Sequence, residues 1–346
     1  MNLEKLEKNL KDKPAFQLRQ AKETVFKNLI GDWLDATNLP RDLRQKLNQE
    51  CPLKIDAEIF VSDDKNTVKA LITLSDGLKI ETVLMRYEGG PPHSREARPK
   101  GGRNTVCVSS QVGCPLGCLF CATGRMGFKR NLGTEEIIEQ VLFFARYLKK
   151  ENECISNVVF MGMGEPFLNY DNVIKAARII NNQKEGFGIG SRHVSISTIG
   201  ITGGIEKLSE DPLQINLAIS LHAANNELRS KIVPANKKYS IEKIMASVKK
   251  YLAKTGRKVM FEYIMIKGLN DSPNHAKELA TLVKKLDKKL YMVNLISYNR
   301  TGIFDASAQE TIKKFKDILR KEGIEVTQRY KFGQDIKAAC GQLAGK

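Results

Sequence analysis

From about residue 104 onward, short apolar runs alternate with amphipathic segments. The runs predict buried strands at 104–109, 156–161, 193–198, 214–220, 258–266 and 291–296. Between several of them, apolar residues return every three or four positions, most clearly on one face of 135–149. Because repeated strand–helix units build parallel sheets, the pattern predicts an α/β fold whose sheet is either closed or open.

The N-terminal part follows other patterns. Between about residues 3 and 50, apolar residues recur at helical spacing, at Phe16, Ala21, Val25, Leu29 and Leu34. Residues 54–61 and 67–87 predict strands joined by hairpin turns. The stretch 88–103 predicts a linker, and its cations are Arg95, Arg98, Lys100 and Arg103. We therefore expect a helical domain at 1–52, a β-hairpin extension with a basic linker at 53–103, and a larger core at 104–346.

The composition is ordinary for a globular protein, but the charge is not. The 346 residues are 42% hydrophobic, and the formal net charge is +17. A charge of this size favours a polyanionic partner such as nucleic acid, with a solvated lysine-rich surface as the alternative. The helical domain at 1–52 is then either an RNA-docking module or a protein interaction domain.

Two features of the sequence bear on the cellular compartment of the protein. The sequence has no apolar run of about 18 residues, and Met1–Lys5 lacks the apolar core of a signal peptide. Seven cysteines are an odd number and three of them are clustered, which argues against a disulfide framework. We therefore expect a cytoplasmic protein with no membrane segment.

The clustered cysteines are the clearest chemical motif. Cys114, Cys118 and Cys121 form a C-x₃-C-x₂-C array shortly after the first predicted strand of the core. Three soft thiolates on one loop suit an iron–sulfur cluster, and a cubane that usually takes four cysteines would keep one iron open. The alternatives are three unconnected core thiols or a zinc site. Zinc would require a fourth ligand nearby, and no second pair follows Cys121.

Polar residues follow other predicted strands, at the sheet edge where parallel folds bind ligands. In the segment 162–166 (GMGEP), glycine lets the backbone approach a ligand and Glu165 offers a carboxylate to a cationic amine. We assign to cofactor binding, by position, Gly164, Glu165, Ser197, Ser220, Leu221, His222 and Asn299.

Four cysteines remain outside the cluster motif. A lone cysteine is usually a small buried hydrophobe, and we interpret Cys51 and Cys154 in that way. Packing explains Cys107 and Cys340 less well, because Cys107 lies seven residues before Cys114 and Cys340 lies in a polar tail that offers little core.

The cysteine spacing resembles that of the radical S-adenosylmethionine (SAM) enzymes, and further segments narrow the resemblance. The segments 107–114 (CVSSQVGC), 160–169 (FMGMGEPFLN), 195–200, 220–223 and 338–343 (AACGQL) are similar to the RlmN family. Its members are dual-specificity adenine C2-methyltransferases of 23S rRNA and tRNA. The sister Cfr family, which methylates C8, typically has alanine where this chain has Pro166, so the resemblance favours C2.

The resemblance implies a partial (β/α)₆ radical SAM barrel. It also implies a [4Fe–4S] cluster on Cys114, Cys118 and Cys121, with SAM on the open iron and two SAM molecules used per turnover. The implied partners are 23S rRNA, tRNA and an electron donor such as flavodoxin or ferredoxin. We expect a monomer.

Three catalytic residues follow from the resemblance alone. The cysteine that matches Cys340 carries a methyl group, which becomes a carbon radical and bonds to the base. The cysteine that matches Cys107 releases the product, and Glu81 matches the proton acceptor. The alternative is a non-catalytic iron–sulfur protein that binds RNA. The presence of Cys340 and of the Gly-Glu-Pro segment argues against that alternative, because a binding module needs neither.

The charge predicts a steep salt dependence of RNA affinity. If Lys and Arg side chains replace counterions on phosphates, affinity should fall by about 10³–10⁵ between ~50 and ~200 mM salt, as for about 6–10 contacts. Fluorescence anisotropy with a labelled RNA hairpin measures this. An affinity that is independent of salt would contradict the phosphate-contact model.

Overall fold

The computed structural model describes residues 3–87, 102–286 and 290–345, so Arg95, Arg98 and Lys100 lie outside the described residues. The strands are β1 (Asp56–Val61), β2 (Thr67–Thr73), β3 (Lys79–Tyr87), β4 (Arg103–Val108), β5 (Gln111–Gly113), β6 (Phe128–Asn131), β7 (Asn157–Phe160), β8 (Val194–Thr198), β9 (Asn216–Ser220), β10 (Val259–Met265), β11 (Tyr291–Ser297) and β12 (Val326–Gln328).

The α-helices are α1 (Leu3–Leu10), α2 (Ala15–Phe26), α3 (Arg41–Glu50), α4 (Ala122–Arg125), α5 (Thr134–Lys149), α6 (Tyr170–Asn181), α7 (Thr202–Glu210), α8 (Asn226–Ile232), α9 (Ile241–Thr255), α10 (Pro273–Val283) and α11 (Gln309–Lys321). Short 3-10 helices lie at Trp33–Asp35, Pro166–Asn169, Ser191–His193 and Pro234–Lys237. None of the helices in the described ranges is both long and apolar enough to cross a bilayer.

The main sheet has ten strands in the order β1-β2-β3-β4-β7-β8-β9-β10-β11-β12. The six strands predicted for the core are β4 and β7 to β11, and they lie side by side in parallel. The predicted α/β fold is therefore confirmed. The strand signal at 324–327 forms β12, which adds a further parallel strand beside β11.

The hairpin extension is continuous with this sheet. Strands β1, β2 and β3 form an antiparallel meander, and β3 pairs with β4 so that Val83 faces Cys107. Side chains alternate along a strand, so Glu81, Val83 and Met85 share one face of β3. The antiparallel register brings Glu81 to the edge where β4 ends. The hairpin extension therefore forms one wall of the space at the ends of the core strands.

The N-terminal helical pattern was only partly correct. Ala21 and Val25 are buried on α2 as predicted. Phe16 is 49% exposed and Leu34 is 50% exposed, so neither belongs to the same buried face. For Leu34 the physical reason is that α2 ends at Phe26, and the chain turns through Leu29 with a φ of +54°. Helical spacing across that turn does not correspond to one helix face. Phe16 lies on α2 itself, nine residues before Val25, which places it on the opposite side of that helix.

The prediction for the two structural cysteines was also partly correct. Cys51 is buried, and its carbonyl accepts a hydrogen bond from the buried Trp33 indole at 2.7 Å. Cys154 is exposed, contrary to prediction, because it lies in the loop between α5 and β7. All seven cysteines are in their free form.

Two cations on α5 join the N-terminal region to the core. Arg146 donates hydrogen bonds to the carbonyl oxygens of Leu53, at 2.8 Å, and of Ile30. Lys149 donates to the carbonyl of Asn28 at 2.6 Å. Burial lowers the pKa of Arg146 to about 10, so its hydrogen bonds to these carbonyls offset the desolvation of a charged group.

Arg146→Met should therefore loosen the N-terminal region without unfolding the core. Each lost hydrogen bond from a charged donor should cost about 1.5–3 kcal/mol. Hydrogen exchange should become faster at residues 28–31 and 53–55, while protection in β7 to β10 stays unchanged. Lys150→Met, an exposed change next to the same helix, is the control. Unchanged exchange at these two loops in Arg146→Met would contradict the proposed attachment.

Candidate active site

A cavity of about 190 Å³ lies where the parallel core strands end, between those strands, β3 and the C-terminal segment. Eleven of the thirteen predicted site residues line it: Cys107, Cys114, Cys118, Cys121, Gly164, Glu165, Ser197, Ser220, His222, Asn299 and Cys340. Glu81 and Leu221 lie behind its lining residues. Residues from both ends of the core sequence thus meet in one space.

The loop that carries the clustered thiols is built on tight turns. Strand β5 precedes this loop and strand β6, its antiparallel partner, follows it. The backbone amide of Cys114 donates a hydrogen bond to the carbonyl of Gly127 at 3.0 Å. Gly113 has a φ of +75°, and a Cβ atom there would lie 1.9 Å from the same carbonyl oxygen. Only glycine fits this position, so the chain must turn sharply just before Cys114.

The three thiols are largely shielded from water. Burial raises the pKa of Cys114 to about 12 and that of Cys118 well above its ordinary value, and the charge of neighbouring Cys121 raises both further. Thiolates in such a place require a strong positive centre to offset desolvation and mutual repulsion. This chemistry fits a bound iron–sulfur cluster. Three irons of the cluster would each bind one of these thiolates.

A single-ion site makes a different geometric demand from a cluster. Within residues 3–87, 102–286 and 290–345, no three His, Cys, Asp or Glu side chains converge on one point where a metal ion could bind. Zinc requires its ligands around one ion, whereas each thiolate of a cubane binds a different iron. The thiol arrangement is therefore compatible with a cluster.

Glu165 is held in a fixed orientation beside the thiols. Its two carboxylate oxygens accept hydrogen bonds from the amides of Phe167, at 3.0 Å, and Ile199, at 2.8 Å. Burial raises its pKa to about 7. Gly164 has a φ of +98°, and a Cβ there would lie 2.5 Å from the Gln111 side chain. A cationic amine in the cavity would favour the ionised form of Glu165.

A buried cation organises the ends of β8 and β9. Arg229 of α8 is fully buried and donates to the carbonyls of Leu221 at 2.9 Å and Ile199 at 2.5 Å. It thereby fixes the chain next to Ser197 and Ser220, whose hydroxyl oxygens are 3.0 Å apart. Because the Leu221 carbonyl binds Arg229, Leu221 supports the cavity from behind. No sequence motif had indicated Arg229.

His222 is neutral, and its tautomer is fixed by the backbone. Its Nδ1 accepts a hydrogen bond from the Ile264 amide at 3.2 Å, so the ring proton is on Nε2. Burial, followed by the charge of Arg229, lowers its pKa to about 3. The ring packs edge-on against Phe120 with 4.7 Å between centroids. His222 thus offers a neutral N–H donor at the cavity.

The C-terminal segment is clamped onto the cluster loop. The side-chain amide of Asn299 donates a hydrogen bond to the Cys340 carbonyl at 3.0 Å. The backbone amide of Ala122 donates a hydrogen bond to the Gly341 carbonyl at 2.7 Å. The Thr123 hydroxyl donates to the Leu343 carbonyl at 2.7 Å. Asn299, which we had assigned to the cofactor, therefore also positions the segment that carries Cys340.

Cys107 and Cys340 lie on the same cavity although 232 residues lie between them in the sequence. Burial raises the pKa of Cys107 to about 12, and the charge of nearby Cys340 raises it further, whereas Arg329 lowers it. The two isolated cysteines of the sequence are thus close enough to influence each other electrostatically.

Glu81 is buried and fully engaged. Its Oε1 is 2.9 Å from the ammonium of Lys69, which is also buried. Its Oε2 accepts hydrogen bonds from the amides of Ala344 at 2.5 Å and Gly345 at 2.9 Å. In this arrangement the C-terminal segment lies over Glu81, so the carboxylate has no direct access to the cavity.

Two charged residues at the cavity were missed by the sequence analysis. Glu262 of β10 is buried and accepts a hydrogen bond from Asn294 at 2.9 Å. Arg329, just after β12, has a guanidinium nitrogen 4.0 Å from Glu262, and the charges of Cys340 and Glu262 raise its pKa. The sequence did contain a signal for Glu262, because it is a glutamate within an otherwise apolar strand. Nothing in the sequence marked Arg329.

The cluster assignment predicts the effect of removing one thiol. Anaerobically reconstituted protein should bind about four irons, the content of a cubane. Cys118→Ala should lose most of this iron and its visible absorbance, because one protein ligand is missing. Cys154→Ala, an exposed cysteine outside the cavity, is the matched control and should keep both. Full iron content in Cys118→Ala would exclude the assignment.

Comparisons with known proteins agree with this site. Residues 108–283 match the family model described as "Radical SAM superfamily". A relative from Dictyoglomus turgidum, named "Probable dual-specificity RNA methyltransferase RlmN", is 49% identical over 95% of this chain and 90% of its own. A relative from Nitrosopumilus maritimus, named "Ribosomal RNA large subunit methyltransferase N", is 49% identical over 89% of this chain and 86% of its own.

The structural comparison covers the whole chain. The crystal structure of a radical SAM methyltransferase from Sphaerobacter thermophilus has a TM-score of 0.91 and 41% sequence identity, over 100% of this chain and 98% of that one. The cofactors of this fold are a [4Fe–4S] cluster and SAM, as the cysteine motif predicted. The protein is therefore a member of the RlmN family of radical SAM RNA methyltransferases.

Proposed function

We propose that this protein methylates C2 of an adenine in 23S rRNA and in tRNA, through a methyl group carried by Cys340. The observation that supports this most strongly is the meeting of Cys107, Cys340 and the three clustered thiols in one cavity. A protein that only bound RNA would not need two further thiols beside a cluster. The names of the relatives support RNA as the substrate.

The proposed target explains why a radical route is needed. Carbon C2 of adenine is not a nucleophile, so it cannot attack the methyl group of SAM directly. The cluster with SAM, when bound on Cys114, Cys118 and Cys121, supplies a deoxyadenosyl radical. Glu165 would hold the ammonium group of SAM, and the N–H of His222 and the hydroxyls of Ser197 and Ser220 would orient its polar groups.

Cys340 and Cys107 then have separate roles. The Cys340 sulfur would take a methyl group from one SAM molecule. A hydrogen atom of that methyl group would then pass to the deoxyadenosyl radical from a second SAM molecule, which leaves a carbon radical bonded to the Cys340 sulfur. This carbon would bond to C2 and join the RNA to the protein. The adduct would then lose the C2 proton and one electron, which the cluster can take back. The Cys107 thiolate would attack the Cys340 sulfur and break its bond to the transferred carbon, which leaves a disulfide between the two cysteines. The released carbon would take up a proton, and this gives the methylated base.

Glu81 would accept the proton that leaves C2. For this the Ala344 and Gly345 amides must move away from its carboxylate, because they now occupy Oε2. Lys69 would stay, since both partners of this ion pair are buried within the meander. Lys69 is thus a positioning residue that holds the Glu81 carboxylate in its orientation.

Removing Lys69 should slow the late steps of this reaction. Lys69→Met leaves the Glu81 charge buried and unpaired, which should cost about 3–5 kcal/mol of stability. The double variant Lys69→Met/Glu81→Gln has no buried charge and should regain much of the stability but little product formation. Thermal unfolding and product yield measure the two effects, and Lys54→Met is an exposed control. A Lys69→Met variant with full stability and yield would exclude this role.

The cysteine roles predict opposite results for two single variants. Cys340→Ala lacks the atom that carries the methyl group, so it should form neither product nor a protein–RNA adduct. Cys107→Ala retains every step up to attachment and should accumulate protein joined to RNA through Cys340. Denaturing gels of protein incubated with RNA hairpins, SAM and reductant show the adduct, and Cys154→Ala is the control.

Other outcomes of the same experiment would contradict the proposal. Normal product without adduct from Cys107→Ala would exclude the resolving role of Cys107. Nucleoside mass spectrometry of the wild-type product distinguishes methylation at C2 from methylation at C8. RNA binding without SAM cleavage by reduced wild-type protein would instead indicate a non-catalytic iron–sulfur protein.

A further inference from the structure

Three aromatic rings and a guanidinium form a continuous stack beside the cavity. The Arg103 guanidinium carbon lies 4.0 Å from the centre of the Tyr87 ring. The Tyr87 and Phe332 ring centroids are 4.5 Å apart, at an interplanar angle of 73°. The Phe332 and Tyr330 centroids are 4.8 Å apart, at 53°. The stack therefore runs from the paired ends of β3 and β4 to the segment after β12.

The last two rings of the stack differ in exposure. Phe332 is 6% exposed, whereas Tyr330 is 65% exposed, the highest value among the large apolar side chains in the described part of the chain. Both residues line the cavity. A side chain that lines a cavity and is also open to solvent lies at its rim. Phe332 supports Tyr330 from the protein side, so much of the remaining Tyr330 surface faces outward.

Both sequence neighbours of Tyr330 are cations, and Lys331 is the one that is not beside a carboxylate of the cavity. Lys331 follows Tyr330 on the cavity lining and is exposed, and Arg329 precedes it. Positive charge beside an aromatic ring disfavours a cationic ligand such as the sulfonium of SAM. It favours an anionic chain that carries flat rings, in which phosphates meet Lys331 and a base stacks on Tyr330. The net charge of +17 agrees with such a partner.

A nucleotide that enters an enclosed cavity leaves the base stack of its own strand. The neighbouring base then loses a stacking partner at the cavity rim, which is where Tyr330 lies. We propose that Tyr330 is a stacking platform for an unpaired nucleobase that flanks the target adenine of the RNA substrate. This inference rests on the proposed function, because it takes RNA as the substrate of this cavity.

The platform should contribute measurably to affinity and should require a flat ring. Loss of one stacked base weakens binding by about 5- to 150-fold. Tyr330→Leu keeps an apolar side chain but removes the ring, so it should show this loss. Tyr330→Phe keeps the ring and should bind as tightly as wild type. Phe16→Ala, which removes an exposed ring on α2 outside the cavity lining, is the matched control.

The experiment uses cluster-reconstituted protein with SAM and two RNA hairpins, measured by fluorescence anisotropy at one salt concentration. Both hairpins carry an unpaired adenine in the loop, and in the second hairpin the flanking nucleotides are abasic. Wild-type protein should bind the abasic hairpin about 5- to 150-fold more weakly, and Tyr330→Leu should bind both hairpins equally weakly. Equal affinity of wild type and Tyr330→Leu for the intact hairpin would overturn the platform.

One further readout separates failure of the platform from failure of the proposed function. Wild-type methylation of the intact hairpin is measured in parallel. If methylation occurs but the ring and the flanking bases do not affect affinity, the platform is wrong and the proposed function stands. If wild type neither binds nor methylates RNA, both are wrong. An affinity loss in Tyr330→Leu that persists unchanged on the abasic hairpin would indicate a structural effect and would also overturn the platform.

Discussion

The position of Cys340 depends on the hydrogen bonds between the C-terminal segment and the barrel. Asn299 and Ala122 bind the carbonyls of Cys340 and Gly341, and Thr123 binds the next turn at Leu343. Since Ala122 and Thr123 directly follow Cys121, the same few residues fix both the loop of the clustered cysteines and the segment that carries Cys340. A residue from the far end of the chain is thereby held at the cavity, and the end of that segment reaches Glu81.

A second constraint is the cost of burying charge around this cavity. Arg229 is fully buried, and burial lowers its pKa to about 10, yet carbonyl and amide oxygens surround its guanidinium. Glu165 and Glu262 are buried carboxylates whose pKa values are raised by burial. These groups are stable only with their hydrogen-bond partners in place, so they fix the strand ends in one arrangement. That arrangement leaves a compact, preorganised cavity at the ends of the parallel strands.

Local sequence signals predicted much of the fold and the site. The core strands are short β-branched runs, and the clustered thiols and Gly164-Glu165 lie on short, glycine-dependent turns, so nearby residues determine them. The long-range contacts were not predictable in this way. Arg229, Arg329 and the second role of Asn299 depend on elements that are distant in sequence. Helical spacing across the break after Phe26 misplaced Leu34, Phe16 lies on the side of α2 opposite Val25, and exposure of Cys154 depends on loop geometry.

The most direct test of the account follows the methyl group itself. The protein is incubated anaerobically with RNA, reductant and SAM whose methyl group is deuterated, and both the Cys340 peptide and the RNA nucleosides are analysed by mass spectrometry. The account predicts a deuterated methyl group on Cys340 before product appears, and then methyladenosine that has lost one deuterium to deoxyadenosine. Methyladenosine that retains all its deuterium, with Cys340 never modified, would show direct transfer from SAM and contradict it.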